Sequence, residues 1–406
     1  MGPLVRIGIR LSYLAVLIAP LFGLFDYMCC FPQIAIGFEM PWYYKGAKDI
    51  LLGLVCLLFS GAILSKRRLR VSGALFLFFV FLLVCAVLNF LVLDNHVITL
   101  VGIRSLATLL LAFFSYCFFS EEEIAFLARC VVFVALLMVP LSIIQFLYGA
   151  QRYGALFDKY AARVAATFIQ PSSLGVFLVL AIFLLSHYFP RSKFRNCGLF
   201  VLTANVLLTG SGIAILGVVL LVFLSVRRKL IPSSQSTLSP ALVFVLPFAV
   251  YFISLNLPTI TSRPDILLSG QGRIDVIRQY FESQLSMQNV LFGKGLGYGT
   301  NSLFTIFPEL GGAYGFIPDS MYVSVIAQLG LLGLMIFLIL NVHVYAGSNS
   351  PLKELLLVVL FCGLTVNILE LFPVNWIYPI VLGFLLRRDP HVGVLPRCQE
   401  RPRGAV

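Results

Sequence analysis

The residues best suited to chemistry lie in or beside one long polar stretch, residues 258–319. Arg273 opens the segment 273–285, where apolar residues recur at helical spacing and indicate an amphipathic helix lying at an interface. The first turn of a helix attracts anions, so an arginine there is unfavourable unless an anion is bound. Arg273 therefore favours binding of a phosphate-like group, and a solvated cation is the alternative. Arg278 lies on another face of this helix, where contact with a lipid headgroup is the alternative.

Two further arginines, Arg104 and Arg163, lie in or next to apolar runs and are candidates for binding a ligand. Arg104 lies about two turns inside an apolar run, where a charge is costly. We expect it to be paired or to face a ligand, with snorkelling to the interface as the alternative. Arg163 precedes an apolar run that Pro171 interrupts. Polar side chains beside this proline, such as Gln170, are predicted to face a cavity, and a packed proline kink is the alternative.

Two carboxylates are candidates for acid–base work. Asp319 stands at the head of an apolar run, at the membrane face where several arginines are also expected, and could accept a proton from a hydroxyl group. The alternative is a helix N-cap, which Asp319 or Ser320 would form equally well. Glu370, near the end of a later apolar run, is the second candidate, and its alternative role is to pair with one of the arginines.

Other familiar motifs are absent from the sequence. The glycine-rich FGKGLGYG (292–299) lacks the spacing of a nucleotide-binding phosphate loop, and we interpret it as a tight, flexible turn. The sequence has no D-x-D, H-E-x-x-H or G-x-S-x-G, its four histidines are dispersed, and its nine cysteines form no C-x-x-C pair. We therefore expect no metal and no cofactor, and purely structural roles for the cysteines.

The elements that must position these residues are transmembrane helices. Of 406 residues, 60% are hydrophobic and 11% charged, which predicts an all-α, polytopic membrane protein. The net charge of +12 follows from basic cytoplasmic segments and does not indicate nucleic acid as a partner. About twelve spans are predicted near 9–25, 49–64, 71–93, 97–119, 124–148, 164–189, 197–209, 212–226, 240–257, 320–345, 353–371 and 374–386.

The basic clusters orient these spans. The runs at 65–70, 190–195 and 227–229 fall on one side when twelve spans are counted, as do both termini, so this side should be cytoplasmic. The chain then reads as a single transmembrane domain, residues 1–386. It contains a large exported loop at 258–319 and is followed by a basic, disordered cytoplasmic tail at 387–406.

Residues 197–226 test this topology. One long span would put the basic clusters on either side of it on opposite faces, whereas two short helices turning at 209–212 keep both clusters cytoplasmic. Helices this short do not cross the hydrocarbon, so the turn and its Ser211 should lie within the membrane's depth, buried in protein or facing a cavity. We expect a ligand site there.

Taken together, four stretches resemble the superfamily of O-antigen ligases and polymerases, which are integral membrane glycosyltransferases. They are RVAATFIQPSSLG (163–175), LLTGSGIAILG (207–217), GRIDVIRQY…LFGKGLGYG (272–299) and PDSMYVSVIAQLGLLG (318–333). The resemblance implies that Arg163 and Arg273 hold the diphosphate of an undecaprenyl-diphosphate-linked glycan donor, and we expect Arg104 to join them. It implies no metal or nucleotide. Asp319 is then the candidate catalytic residue, and Arg278, Glu370, Gln170 and Ser211 are supporting residues.

The chain departs from that family in two places. Asp319-Ser320 stands where the ligases have His-Asn, which favours a polymerase. Ser211-Gly212 stands where the family often has Ser-Arg, which removes a cation from the hairpin turn.

The leading hypothesis is polymerisation of lipid-linked repeat units of O-antigen, exopolysaccharide or capsule at the periplasmic face of a bacterial inner membrane. A lipid-linked acceptor and a chain-length regulator would be its partners. Two alternatives stay open: a ligase that transfers glycan to lipid A core or to protein, and a polysaccharide transporter or flippase.

Overall fold

A computed structural model describes residues 2–22, 46–65, 72–92, 96–148, 164–168, 170–230, 287–300, 303 and 320–387. Within these ranges the chain is helical and contains no strand, which confirms the all-α prediction. The helices are α1 Pro3–Leu17, α2 Ala47–Leu64, α3 Gly73–Val92, α4 His96–Ala107, α5 Leu110–Phe118, α6 Glu121–Tyr148, α7 Pro171–Tyr188, α8 Lys193–Thr209, α9 Gly212–Leu230, α10 Met287–Phe292, α11 Met321–Gly347, α12 Lys353–Cys362 and α13 Val374–Arg387, with a 3-10 turn at Ile368–Glu370.

Six helical stretches among the described residues are long and apolar enough to cross a membrane. They are Ala47–Leu64, Gly73–Leu91, His96–Phe118, Glu121–Leu147, Pro171–Tyr188 and Met321–Gly347, and Gly212–Arg227 and Val374–Arg387 are shorter apolar helices. The chain is therefore a multi-pass membrane protein. The predicted span at 240–257 lies outside the described residues, as do most of the 258–319 loop and the 388–406 part of the tail.

Three predicted spans begin, end or break at positions that hydropathy did not predict. The span predicted at 164–189 begins only at Pro171, because proline suits the first helical position, where its missing N–H is no loss. The span predicted at 353–371 ends at Cys362 and continues as irregular chain to Pro373. The span at 97–119 changes from α4 to α5 at Thr108.

The centre of the bundle is α7. Almost all its residues between Pro171 and Leu185 are buried, which is the pattern of a helix surrounded on all sides by others. It packs against α6, α8, α9 and α12. By contrast, α3 is apolar but largely exposed, as expected of a helix that faces lipid.

The glycine-rich segment 293–300 is packed between helices. Gly293, Gly295, Gly297 and Gly299 all have positive φ, so the predicted tight turns are present. Leu296 is buried, and the backbone of Gly297 lies directly against Ile98 of α4. The amide of Lys294 donates to the carbonyl of Ala327 (2.9 Å). The segment is therefore a wedge between α4 and α11, which its interpretation as a flexible turn did not anticipate.

This wedge fits because α11 is broken. Gly330 has φ +69° and ψ −174°, so residues 321–329 and 331–347 form two separate helical halves. Gln328 ties the pieces together: its side-chain oxygen accepts from the amide of Gly297 (3.2 Å) and from the hydroxyl of Ser105 (3.4 Å). A non-helical backbone at this depth is tolerated because protein groups satisfy it.

We expect Gly297→Ala to destabilise the protein. A Cβ there would collide with the carbonyl of Ile98, and alanine at φ +94° is strained. Strain and overpacking together should lower the free energy of unfolding by roughly 2–5 kcal/mol. Gly53→Ala is the matched control, since a Cβ added at Gly53 would meet no described atom within 4 Å. Thermal unfolding in detergent measures both; equal midpoints for the two variants would contradict the wedge.

Candidate active site at one end of the bundle

The hairpin between α8 and α9 turns where the sequence predicts. α8 ends at Thr209, Gly210 adopts the left-handed conformation (φ 58°), and α9 begins at Gly212. With 17 and 19 residues, the helices are longer than expected but span only about 25–28 Å. Ser211 is 2% exposed, and its amide donates to the hydroxyl oxygen of Thr209 (3.2 Å). Thr209 is buried as well, whereas Gly210 and Gly212 are exposed, so the turn is buried at its two polar residues and open at its two glycines.

The start of α7 lies against this turn. A Cβ added to Gly175 would come within 2.6 Å of the Cβ of Ala214 and 3.2 Å of that of Ser211. Glycine at this position permits the close approach, which brings the QPSSLG and TGSG stretches of the sequence together.

Residues 164–168 form an irregular, mostly buried strap beside the turn. The amide of Val164 donates to the carbonyl of Leu208 (3.2 Å). The side-chain oxygen of Gln145, on α6, accepts from the amides of Ala165 (3.1 Å) and Ala166 (2.8 Å), and its amide group donates to the carbonyl of Ala166 (2.8 Å). Gln145 thus holds Ala165 and Ala166, the second and third residues after Arg163. Arg163 itself lies outside the described residues.

Gln170 occupies the N-cap position of α7, and its side chain makes no capping hydrogen bond. It is exposed, and its side-chain oxygen accepts a long hydrogen bond from the hydroxyl of Ser172 (3.4 Å). Pro171 starts the helix, so the alternative of a packed proline kink within a longer helix is wrong. The prediction that Gln170 faces a cavity stays open.

Arg104 is paired. Its Nε lies 2.8 Å from Oδ2 of Asp49, and the two side chains are 31% and 36% exposed. The pair stands at a cavity of about 60 Å³ that is also lined by Lys48, Thr108, Glu370 and Asn375. This geometry agrees with the expectation that Arg104 has a partner. It also brings Arg104 and Glu370, two predicted site residues, to one cavity.

Glu370 reaches this cavity from the irregular stretch that replaces the end of the predicted span. One of its carboxylate oxygens accepts from the side-chain amide of Asn367 (2.9 Å). Asn375, in the first turn of α13, donates to the carbonyl of Leu369 (3.2 Å) and so fixes the 3-10 turn.

The start of α11 is joined to the same stretch. The amide of Met321 donates to the carbonyl of Gly363 (2.9 Å), and the hydroxyl of Ser320 donates to the same oxygen (3.3 Å). Ser320 occupies the N-cap position, but its hydroxyl makes no capping bond. Asp319, Arg273 and Arg278 lie outside the described residues, so their placement stays a prediction.

Sequence reasoning missed the polar residues that serve these sites from neighbouring helices. Asp49 and Lys48 stand at the start of the second span, at the membrane face where the predicted topology also puts Arg104. Opposite charges at one face could have indicated that Arg104 pairs with Asp49. Gln145 is an isolated polar residue near the end of an apolar helix, a weaker signal of the same kind.

Residues 197–338 match the O-antigen ligase family model. The matched part is about a third of the chain. It runs from within α8 to the second half of α11, so it includes the hairpin turn, Arg273, Asp319 and the glycine-rich wedge. It does not include Arg163, Gln145 or the cavity around Arg104. No curated protein matches the chain. Over this part the chain is similar to O-antigen ligases, which supports the ligase and polymerase superfamily.

We expect Gln145→Leu to loosen the 164–168 strap. The leucine leaves the amides of Ala165 and Ala166 without their acceptor, at a cost of about 1–3 kcal/mol for each buried group. Amide hydrogen exchange of the strap should therefore speed up. The control is Ser142→Ala, one turn earlier on α6, since the hydroxyl of Ser142 is buried and has no hydrogen-bond partner among the described residues. Unchanged exchange in Gln145→Leu would show that the strap does not depend on this side chain.

Proposed function

We propose that this protein polymerises undecaprenyl-diphosphate-linked oligosaccharide repeat units of O-antigen, exopolysaccharide or capsule at the periplasmic face of a bacterial inner membrane. One observation carries the proposal. The family match begins in α8. Near the end of this helix, the carbonyl of Leu208 accepts from the amide of Val164, the residue after Arg163. The hairpin turn and the matched segment therefore lie beside the strap that follows Arg163 in the sequence, which supports a site at this end of the bundle.

The donor diphosphate would be held by Arg163 and Arg273. Guanidinium groups bind phosphate oxygens in pairs and stay charged, which suits a doubly charged group at membrane depth better than lysine does. The Gln145 clamp supports this role for Arg163, because it fixes the backbone two and three residues after that residue. Ser211, Gln170 and Arg278 would support the site. No metal or cofactor is part of the proposal.

The acceptor hydroxyl would be activated by Asp319. In this step the hydroxyl oxygen attacks the anomeric carbon of the donor sugar, and its proton passes to the Asp319 carboxylate. The bond between that carbon and the diphosphate oxygen breaks, and the lipid diphosphate leaves with the electron pair. The bonds of Ser320 and Met321 to Gly363 support this assignment, since they anchor the chain next to Asp319.

The ligase reaction is the second candidate, because the matching family model is that of O-antigen ligases. Asp319-Ser320 in place of His-Asn favours the polymerase. A deletion strain separates the two. Loss of a polymerase leaves product with a single repeat unit, whereas loss of a ligase leaves full-length chains on the lipid carrier. Flipping of lipid-linked glycan by the purified protein in liposomes would support a transporter instead.

Arg163→Ala and Arg273→Ala should each reduce polymer formation by roughly 10- to 100-fold, since each removes charge-assisted hydrogen bonds to the diphosphate. Polymer length on gels and turnover of lipid-linked donor measure the effect at equal expression. Arg191→Ala is the control, an exposed arginine in a basic cluster at the predicted cytoplasmic face. Wild-type chain length in both test variants would refute the assignment.

Asp319→Asn should lower turnover by about 10²–10⁴-fold, because the amide cannot take the proton of the acceptor hydroxyl. Donor binding should persist, since the diphosphate ligands are intact. Donor retention and turnover are measured on the same purified sample. Glu122→Gln serves as the control, an exposed carboxylate in the first turn of α6. Wild-type turnover in Asp319→Asn would remove Asp319 from the mechanism.

A further inference from the structure

The cavity beside Arg104 carries balanced charge. Lys48, Arg104, Asp49 and Glu370 all belong to its described lining, which therefore contains two cations and two carboxylates. A diphosphate needs a surplus of positive charge, which these four groups do not supply. Mixed donors and acceptors without net charge suit a ligand that both donates and accepts hydrogen bonds, as sugar hydroxyls do.

Two buried polar atoms in this lining have no partner within the described part of the chain. Thr108 is 5% exposed, and its hydroxyl makes no hydrogen bond there. The side-chain oxygen of Asn375 is likewise buried without a partner, although its amide group is bonded to Leu369. Buried polar groups are satisfied in the great majority of cases, so an unpaired group at a cavity points to a ligand or to water.

The size of the cavity limits what can enter. Its volume of about 60 Å³ is well below the roughly 150 Å³ of a cavity that holds benzene, so it admits one polar edge of a sugar and not a whole ring. The partly exposed Arg104–Asp49 pair forms part of the mouth, whereas Thr108 and Trp376 are buried.

The cavity is also connected to the chain beside Asp319. Gly363, whose carbonyl accepts from Ser320 and Met321, begins the irregular stretch that carries Glu370 and Phe372 into the lining. A ligand in the cavity would therefore contact the same stretch of chain that anchors the start of α11.

We propose that this cavity is a subsite for the hydroxyl-bearing edge of a neutral sugar of the acceptor glycan, separate from the donor diphosphate site. The identity of that glycan as the acceptor rests on the proposed function. Thr108 and Asn375 bind its hydroxyl groups inside the cavity, and Arg104, Asp49, Lys48 and Glu370 bind those at the mouth. Arg104 then serves sugar binding and not the diphosphate.

Thr108→Val tests the subsite, because valine keeps the shape of the side chain and removes only the unpaired hydroxyl. Thr99→Val is the matched control. Thr99 lies on the adjoining α4, is fully buried and also has a hydroxyl with no described partner, but it is not part of the cavity lining. Neither substitution breaks a hydrogen bond between described residues, so both variants should fold.

The reporter is Trp376, which lines the cavity. The chain has two tryptophans, so Trp42→Phe leaves Trp376 as the single emitter. The full chain, purified into lipid nanodiscs, is titrated with the free repeat-unit oligosaccharide, released from its lipid diphosphate by mild acid, and separately with inorganic pyrophosphate.

We expect the oligosaccharide to shift the emission of Trp376 and pyrophosphate to leave it unchanged. Thr108→Val should weaken oligosaccharide binding about tenfold or more, and Thr99→Val should bind it as the wild type does. Equal affinity in the two threonine variants, no emission shift, or competition by pyrophosphate would overturn the subsite. Donor turnover by the same preparation reports separately on the proposed function. If the donor is turned over but Thr108→Val binds the oligosaccharide as wild type does, only the subsite is refuted. If Thr108→Val weakens oligosaccharide binding but no donor is turned over, the sugar site is supported and the transfer reaction is refuted.

Discussion

In a bilayer, every backbone N–H and C=O that leaves a helix must find its partner inside the protein, and the candidate site depends on how this chain meets that requirement. Three irregular stretches interrupt the described helices. The strap at 164–168 is held by Gln145, the glycine-rich wedge by carbonyl and side-chain oxygens of α11, and the stretch after Cys362 by the start of α11. Each is therefore held in place by the rest of the protein and can carry binding groups.

These stretches converge because the helices that bear them pack at the same end. Gly175 brings α7 onto the hairpin turn, and Gly217 of α9 lies close to Cys362 of α12. The carbonyl of Gly363 then receives the start of α11. Close contacts at glycines, and hydrogen bonds between non-helical backbone groups, thus join segments that are far apart in the sequence.

Much of this arrangement was predictable from the sequence, and the reasons differ by feature. The hairpin at 209–212 followed from charge, because only a turn kept the basic clusters on one face. The helical spans followed from hydropathy. The start of α7 at Pro171 and the end of α12 at Cys362 were misplaced, because an apolar composition does not distinguish a buried irregular segment from a helix. Hydropathy also does not report which helices are neighbours. For this reason the pairing of Arg104 with Asp49, the clamp by Gln145 and the position of the wedge were not foreseen.

The break at Gly330 has a consequence for the membrane as a barrier. Residues 321–329 lie before it and residues 331–347 after it, so the first half of α11 is only about 13 Å long and the second half about 25 Å. The wedge packs beside the first half, and Ser105, which bonds to Gln328 of that half, also lines the polar cavity. Because the first half is too short to cross the hydrocarbon of a bilayer, the barrier to ions along α11 has to come from the continuous second half, Leu331–Gly347, and from the helices packed around it.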